Sequence, residues 1–313
     1  MMPVIAVVGP TASGKSDLGL ALAERIGGEV INADSMQLYR GMDIGTAKLT
    51  VSERRGVPHH QLDVLDVTQE ASVARYQRAA RADVDAIRAR GNVPVFVGGS
   101  GLYIRAALDR LDIPPTDPKV RAAIEAEATE QGAPAVYARL RAADPEAARH
   151  IQPNNVRRVV RAIEVIELTG MPFSATMPTR RFVTPAVMLG LRLEQAALDD
   201  RIERRVERMW EQGLQAETKR LLHHGLRDGA TASHAIGYRQ AIAVLDAVIG
   251  GVEARDDTAQ ATRRFARRQQ AWFRRDPRIA WLDALAPDVL DEAIRVIRQA
   301  IPDIESGRLR EDG

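Results

Sequence analysis

The sequence predicts an α/β fold, a parallel sheet flanked by helices, interrupted by an all-helical insertion. Three observations predict it. Short apolar runs, Val4–Val8, Val30–Ala33 and Val93–Val97, alternate with amphipathic stretches of helical length. The first and third of these are nearly unbroken in apolar character, as strands covered on both faces must be. From about residue 113 to 180 strand-like sequence disappears and only helical periodicity remains.

Val4–Val8 is the first strand. It runs into Gly9-Pro10-Thr11-Ala12-Ser13-Gly14-Lys15-Ser16, which fits G-x-x-x-x-G-K-[ST] without a mismatch. The glycines let the backbone turn tightly, successive N–H groups point into one concavity, and a helix opens with its positive dipole end at the same place. Lys15 adds a mobile charge, and Ser16 offers a hydroxyl to a magnesium ion. The motif therefore predicts a di- or triphosphate site; a ligand-free Gly-rich turn is the plainer reading. The helix that follows carries Leu18, Leu22 and Ile26 on one face and closes at Gly27-Gly28. Strand two, Val30-Ile31-Asn32-Ala33, ends at Asp34. Ser72–Arg90 reads as a helix with Val73, Tyr76, Ala80, Val84 and Ile87 inward. Val93–Val97 is a buried strand ending in Gly98-Gly99-Ser100-Gly101. Ligands of such sheets lie at the carboxyl ends of the strands, where the phosphate loop, Asp34 and Ser100 all fall.

The insertion is predicted over 113–180, as three or four helices broken by Gly132, Asp144-Pro145 and Pro153. The core then occupies 1–112 and 181–302, with a strand at Val187–Leu193, helices near 196–212, 216–223, 238–248 and 256–275, a short strand at Ile279–Leu282 and a helix at Pro287–Ala300. Residues 303–313 are expected to be a disordered polar tail.

A hydrolytic enzyme of this kind needs a second apolar strand ending in Asp to hold its magnesium. Val93–Val97 ends in Gly-Gly-Ser instead, and the Asp63 and Asp66 region is too interrupted to be that strand. The candidate carboxylate is Asp34, although a helix cap or turn residue would also sit there. Downstream, Asp43-Ile44-Gly45-Thr46-Ala47-Lys48 is compatible with a solvated loop. From Arg263 to Arg278 there are seven arginines and one acid, Asp276, with Phe265, Trp272 and Phe273 interleaved. A solvated helix face explains the aromatics but not the arginine excess, and nucleic acid is the natural partner. Arg157, Arg158 and Arg161 form a second basic cluster. Arg201, Arg204, Arg205 and Arg208 form a third, which Glu203 and Glu207 make readable as surface ion pairs.

Of the 313 residues, 45% are hydrophobic and 27% charged, ordinary for a globular protein with a real core. There is no cysteine, which excludes disulfides and thiolate metal sites and fits a reducing cytoplasm. The adjacent pairs His59-His60 and His223-His224 do not make a ligand set, and no zinc is expected. No apolar run approaches the ~20 residues of a membrane span, and the chain enters a strand at once, so neither membrane nor signal peptide is expected. The net charge is only +2, so a polyanion would have to meet local patches. No long heptad or large apolar stripe demands a dimer, and a monomer is expected.

The phosphate loop, Asn32-Ala33-Asp34-Ser35-Met36-Gln37-Leu38-Tyr39, Asp43–Lys48, Pro58-His59-His60, Gly98-Gly99-Ser100-Gly101-Leu102-Tyr103 and Ile236-Gly237-Tyr238-Arg239-Gln240 occur in this order. The set resembles the bacterial tRNA dimethylallyltransferase family, also called tRNA isopentenyltransferase, over about residues 3–285. The resemblance implies a P-loop core with a helical insertion and a channel that a tRNA base enters from one side and dimethylallyl diphosphate from the other. It implies transfer of the dimethylallyl group to the exocyclic amine of the adenosine just 3′ of the anticodon. By motif, residues 9–16 hold the diphosphate, with Thr11 and Lys15 catalytic, Asp34 is the general base, and Asp34, Ser35, Met36 and Gln37 line the base pocket. Ser100, where the family usually has Thr, Arg121, the Arg157-Arg158-Val159-Val160-Arg161 segment and the Ile236-Gly237-Tyr238-Arg239 turn are implied tRNA contacts. Arg205 is implied to clamp the leaving diphosphate. Eukaryotic relatives carry a C-terminal zinc finger; with no cysteine in the sequence, none is expected here.

The residues leave other readings open: a small-molecule or nucleotide kinase, and an RNA-binding protein with or without ATP hydrolysis. The kinase leaves the Arg263–Arg278 patch unexplained. The RNA-binding ATPase lacks its strand-end carboxylate.

Overall fold

The computed structural model describes residues 2–176 and 180–300; the tail expected at 303–313 lies outside the described residues. Six parallel strands form one sheet in the order β3-β2-β4-β1-β5-β6: β1 (Val4–Val8), β2 (Gly28–Asn32), β3 (His59–His60), β4 (Val93–Gly98), β5 (Ala186–Arg192) and β6 (Ile279–Asp283). All five residues of β1 have no exposed surface. Ile5 and Val7 face a cluster formed with Leu18, Leu22 and Ile26 of α1 (Lys15–Ile26). On the other face lies α2 (Val73–Ala89), which buries Tyr76, Ala80, Val84 and Ile87. β3 was not anticipated: its two residues pair with Val30 and Ile31 and are too short to carry a periodic signal. Nor was α3 (Gly101–Leu108), which directly follows the Gly-rich end of β4.

The chain divides into two compact units, one built from the chain up to Leu108 and from Thr184 onward, the other Asp109–Val183. The second contains α4 (Pro118–Glu130), α5 (Ala133–Ala143), α6 (Pro145–His150) and α7 (Val156–Thr169). Its helix starts are specified locally: Asp117, Asp144 and Asn155 each accept a first-turn amide, and Pro follows the cap in α4 and α6. Ile124, Val136, Leu140, Val159, Val160 and Ile163 form its core. Beside that core Glu164, with no exposed surface, accepts from Arg161 at 2.7 Å and Arg121 at 3.1 Å.

In the first unit the remaining helices are α8 (Gln195–Glu211), α9 (Leu214–His223), α10 (Tyr238–Leu245), α11 (Gly251–Phe273) and α12 (Val289–Ala300). α12 packs with Ala293, Ile294 and Ile297 on the same cluster as α1.

One buried charge fixes the sheet edge. Glu29 on β2 is 2% exposed and accepts from Arg90 at 2.7 and 2.9 Å, from Asn92 at 2.8 Å and meets His60 at 2.7 Å. Hydrogen bonding from Arg90 is the main cause that holds its carboxyl down to about 2, against burial. Because the folded value lies below the ordinary 4.5, the stabilisation is complete above about pH 4.5 and is lost as pH falls through about 2. Glu29→Gln is expected to cost about 3 kcal/mol at neutral pH, with the deficit shrinking as the pH is lowered through that window. Denaturant titrations at neutral pH and near the bottom of the window check it; an equal deficit at both would assign the loss to shape rather than charge.

Candidate active site

The loop after β1 has the backbone its glycines predict. Gly9 and Gly14 adopt φ of 146° and 91°, and Ala12 is held at φ 63°, a left-handed conformation that a side chain tolerates only under external constraint. Gly14 caps α1 without a side chain, so the first-turn amides of a twelve-residue helix have no capping group. Lys15 Nζ donates to the Pro10 carbonyl. Burial pushes its ammonium down to about 7; the Arg205 guanidinium beside it acts in the same direction and Asp34 opposes both. Arg205, on α8, is itself pushed below its ordinary value by burial, and donates to the Thr46 carbonyl at 3.1 Å.

Asp34 lies two residues past the end of β2, after Ala33. Ala33 N–H donates to the Val97 carbonyl at 2.8 Å, and Asp34 N–H donates to Asn32 Oδ1 at 2.9 Å. Asp34 Oδ1 accepts from Met36 N–H at 2.9 Å, an Asx turn that orients the carboxyl. Oδ2 has no hydrogen-bond partner among the described residues. The turn thus uses one oxygen of the side chain and leaves the other open to a further partner. The loop after β4 closes alongside: Ser100 N–H donates to the Ala33 carbonyl at 3.2 Å, and Ser100 Oγ accepts from Ser35 N–H at 3.3 Å. Gly98 permits this approach, since a Cβ there would lie 2.3 Å from the Ala33 carbonyl.

Thr11, Asp34 and Arg205 open on one cavity of about 230 Å³. With Thr46 and His234 they supply much of its polar wall, and Val206, Met209, Ile236 and Phe265 much of its apolar wall. Thr11 of the loop after β1, a carboxylate and a guanidinium therefore share a space with room for a short hydrocarbon.

The Asp43–Lys48 segment is packed rather than solvated, which corrects the plainer reading of it. Lys48, 8% exposed, donates to Asp43 at 2.7 Å, Asp63 at 2.6 Å and the Tyr39 carbonyl at 2.9 Å. Glu217 of α9, 1% exposed, accepts from Ile44 N–H at 3.0 Å and from the Tyr238 hydroxyl at 2.6 Å. Burial and Glu217 together push the Tyr238 phenol far above its ordinary range. Gly45 lies on the Tyr238 ring, 2.4 Å from where its Cβ would be. The segment is thereby set so that the Thr46 carbonyl accepts from both Arg205 and Gln37.

Comparison with known proteins gives this site its context. The model of the IPP transferase family matches residues 37–276. The chain belongs to that family. It is 60% identical to the tRNA dimethylallyltransferase of Thermobifida fusca over 302 residues, covering 95% of each chain. It is 59% identical to that of Salinispora arenicola, covering 95% of this chain and 87% of the relative. Among solved structures it is similar to the full-length tRNA isopentenylpyrophosphate transferase of Bacillus halodurans, with 40% identity, a TM-score of 0.71 and coverage of 97% and 98%. It is also similar to a eukaryotic dimethylallyltransferase acting on tRNA, with 27% identity, a TM-score of 0.83 and coverage of 98% and 82%.

Within this IPP transferase, Thr11, Asp34, Ser35, Met36, Arg205 and Ile236 meet at the cavity, and Ser100 is tied to its rim. Arg205 thus departs from the surface-pair reading, whereas its neighbour Arg204 does pair with Asp200 at 2.7 Å. Other predicted residues have different surroundings. Tyr238 is fully buried with its hydroxyl on Glu217, so it does not face solvent as a tRNA contact would, while Arg239 is exposed beside Asp257 at 3.3 Å. In the helical unit Val159 and Val160 point into the core, Arg121 and Arg161 hold Glu164, and Arg157 and Arg158 are exposed. Asp63 and Asp66 are spent on Lys48 and Arg40.

The arginine helix is less naked than its segment suggests. Arg263 pairs with Glu203 at 3.1 Å, Arg264 with Asp257 at 3.8 Å and Arg267 with Asp199 at 3.6 Å. The sequence reading does not single out Glu217 and Gln269, whose buried side chains tie together segments remote in the chain. The available signal was a polar residue on the inward stripe of a helix: Leu214-Glu217-Thr218-Leu221 and Ala266-Gln269-Gln270-Phe273, each at i, i+3, i+4, i+7.

For a magnesium ion the donor chemistry is sparse. Among the described residues no three His, Asp or Glu side chains come together to hold a metal. Ser16, at the start of α1, offers a hydroxyl at the end of the loop that follows β1. A hard cation that takes one protein oxygen and completes its shell with phosphate oxygens and water fits this arrangement; a metal held by protein alone does not.

Proposed function

We propose that the chain transfers a dimethylallyl group from dimethylallyl diphosphate to the exocyclic amine of the adenosine 3′-adjacent to the anticodon of tRNA, releasing diphosphate, and that it does so as a cytoplasmic monomer. The observation that carries this reading is the single cavity on which the phosphate loop, Arg205, Asp34 and an apolar wall all open. The diphosphate sits on the amides of the loop and of the first turn of α1, and the five-carbon chain lies along Val206, Met209 and Phe265. The adenine amine attacks the allylic carbon, the carbon–oxygen bond breaks, and the electron pair leaves with diphosphate. Negative charge grows on that leaving group, and the amides, Lys15 and Arg205 stabilise it. The adenine amine is a poor nucleophile because its lone pair is delocalised into the ring. Asp34 takes its proton as the nitrogen becomes positive. Magnesium, beside Ser16, would supply further neutralisation of the diphosphate. No water attacks phosphorus, so the missing strand-end carboxylate is not needed. The base must leave its stack at a cost of a few kcal/mol, which contacts elsewhere on the RNA offset.

Those contacts are assigned to exposed arginines: Arg157 and Arg158 of α7, and Arg264, Arg267 and Arg268 of α11. Neutralising the last three is expected to weaken tRNA binding and flatten its salt dependence, by about one unit of log–log slope for each RNA phosphate that an arginine no longer neutralises. Because Arg264 and Arg267 have acidic neighbours, Arg268 is expected to contribute most. Filter binding across a salt series checks it; an unchanged slope returns this face to plain solvation.

The reading itself is tested by following diphosphate release from dimethylallyl diphosphate with and without unmodified tRNA. Release is expected only when the RNA is present. Release at the same rate without RNA would sink it.

A further inference from the structure

Gln269 lies on the arginine-rich helix α11 with its side chain turned inward, 6% exposed. Its two polar atoms reach two different loops. Oε1 accepts from the Thr11 N–H at 2.8 Å, and Nε2 donates to the Gly99 carbonyl at 2.9 Å. The contact is close-packed: a Cβ at Gly99 would lie 2.2 Å from Nε2. Thr11 is the residue before Ala12, the loop position at φ 63°, and it lines the cavity with Asp34 and Arg205. Gly99 is the residue before Ser100, whose hydroxyl accepts from Ser35 N–H.

We propose that Gln269 is a positioning residue for the transfer step: it takes up the Thr11 amide so that this residue presents its side chain, not its backbone, to the leaving diphosphate. The inference rests on the transferase reading above. Its physical basis is directional. The site needs an acceptor facing Thr11 and a donor facing Gly99, and among side chains of this length only an amide supplies both. Without it the Thr11 N–H is left over inside the loop, free to turn toward the substrate phosphates and carry the side chain away from them. The same side chain ties the loops after β1 and β4 to the helix that bears Arg264, Arg267 and Arg268. The surface assigned to the RNA and the loop that holds the leaving group thus share one amide. An amide that merely glued helix to sheet would affect stability and leave the chemical step alone.

The test uses the full chain in four forms: parent, Thr11→Ala, Gln269→Ala and the double variant. Single-turnover transfer at saturating dimethylallyl diphosphate and unmodified tRNA is measured with both dissociation constants and the thermal unfolding profile. Gln269→Ala is expected to slow transfer about 10- to 100-fold, as a small misplacement of a reacting group does, with dissociation constants nearly unchanged. If Gln269 acts through Thr11, the double variant is no slower than Thr11→Ala alone. Should Gln269→Ala fail to fold, Gln269→Leu fills the space without the amide and is expected to show the same non-additivity. Effects that multiply in the double variant, with an active parent, overturn the positioning role and leave the transferase reading intact. A parent that transfers nothing overturns both.

Discussion

Asp34→Asn is expected to lower the single-turnover transfer rate by about 10²–10⁴-fold while both substrates still bind. Asn keeps the size of Asp and one acceptor oxygen, so the Asx turn to Met36 N–H, which orients the side chain, survives. What disappears is a group that takes up a proton at neutral pH, and the charge growing on the attacking nitrogen then has nowhere to go. Diphosphate affinity should move little, because the loop amides, Lys15 and Arg205 are untouched. Asp34 also raises the Lys15 pKa, so its removal leaves Lys15 somewhat easier to deprotonate, a secondary loss that grows with pH. Rates and both dissociation constants on a variant of intact fold decide the matter. Near-parent transfer would reduce Asp34 to a turn residue, and a matching collapse of tRNA binding would make it a base-recognition group.

Arg205→Met is expected to cost about 10²–10³-fold in transfer, the usual scale for removing one preorganised group aimed at developing negative charge. It carries a second signature that a general loss of structure would lack. Arg205 is, after burial, the main cause of the lowered Lys15 pKa. In the parent, Lys15 loses its proton as pH rises through about 7, so kcat/KM for dimethylallyl diphosphate should fall on that side. Without the Arg205 charge the ammonium holds its proton to higher pH, and the alkaline limb should shift upward even as the rate drops. A pH profile of kcat/KM for both proteins checks both effects. A drop in rate with the limb unmoved would separate Arg205 from Lys15.

The parts of this site that the sequence made legible are those written locally. Strand, loop and helix from Val4 to Ile26 are specified by contiguous residues, and the helix begins at Lys15, inside the loop motif itself. Asp34 was found because a strand end is a local feature. The helical insertion was visible through its Asp-Pro and Gly punctuation, which caps α4, α5 and α6. What escaped depends on distance along the chain. Gln269 meets Thr11 across 258 positions and Glu217 meets Ile44 across 173, and no window contains both partners. Counting charge within Arg263–Arg278 failed for the same reason: Asp199, Glu203 and Asp257 lie outside the segment but beside its arginines in space. The Asp43–Lys48 segment looked solvated because its polar residues find partners, Glu217 and Asp63, that are remote in sequence.

On the proposed reading, one cavity joins a phosphate loop to carbon–nitrogen bond formation rather than to phosphoryl transfer. The most direct measurement offers the protein both donors at once, dimethylallyl diphosphate labelled in its allyl carbon and ATP labelled in its terminal phosphate, together with unmodified tRNA. The tRNA is then digested to nucleosides. The allyl label is expected on the exocyclic amine of the adenosine next to the anticodon, with one diphosphate released per label transferred and the terminal phosphate of ATP untouched. Release or transfer of that phosphate, with no allyl label on the RNA, would contradict it.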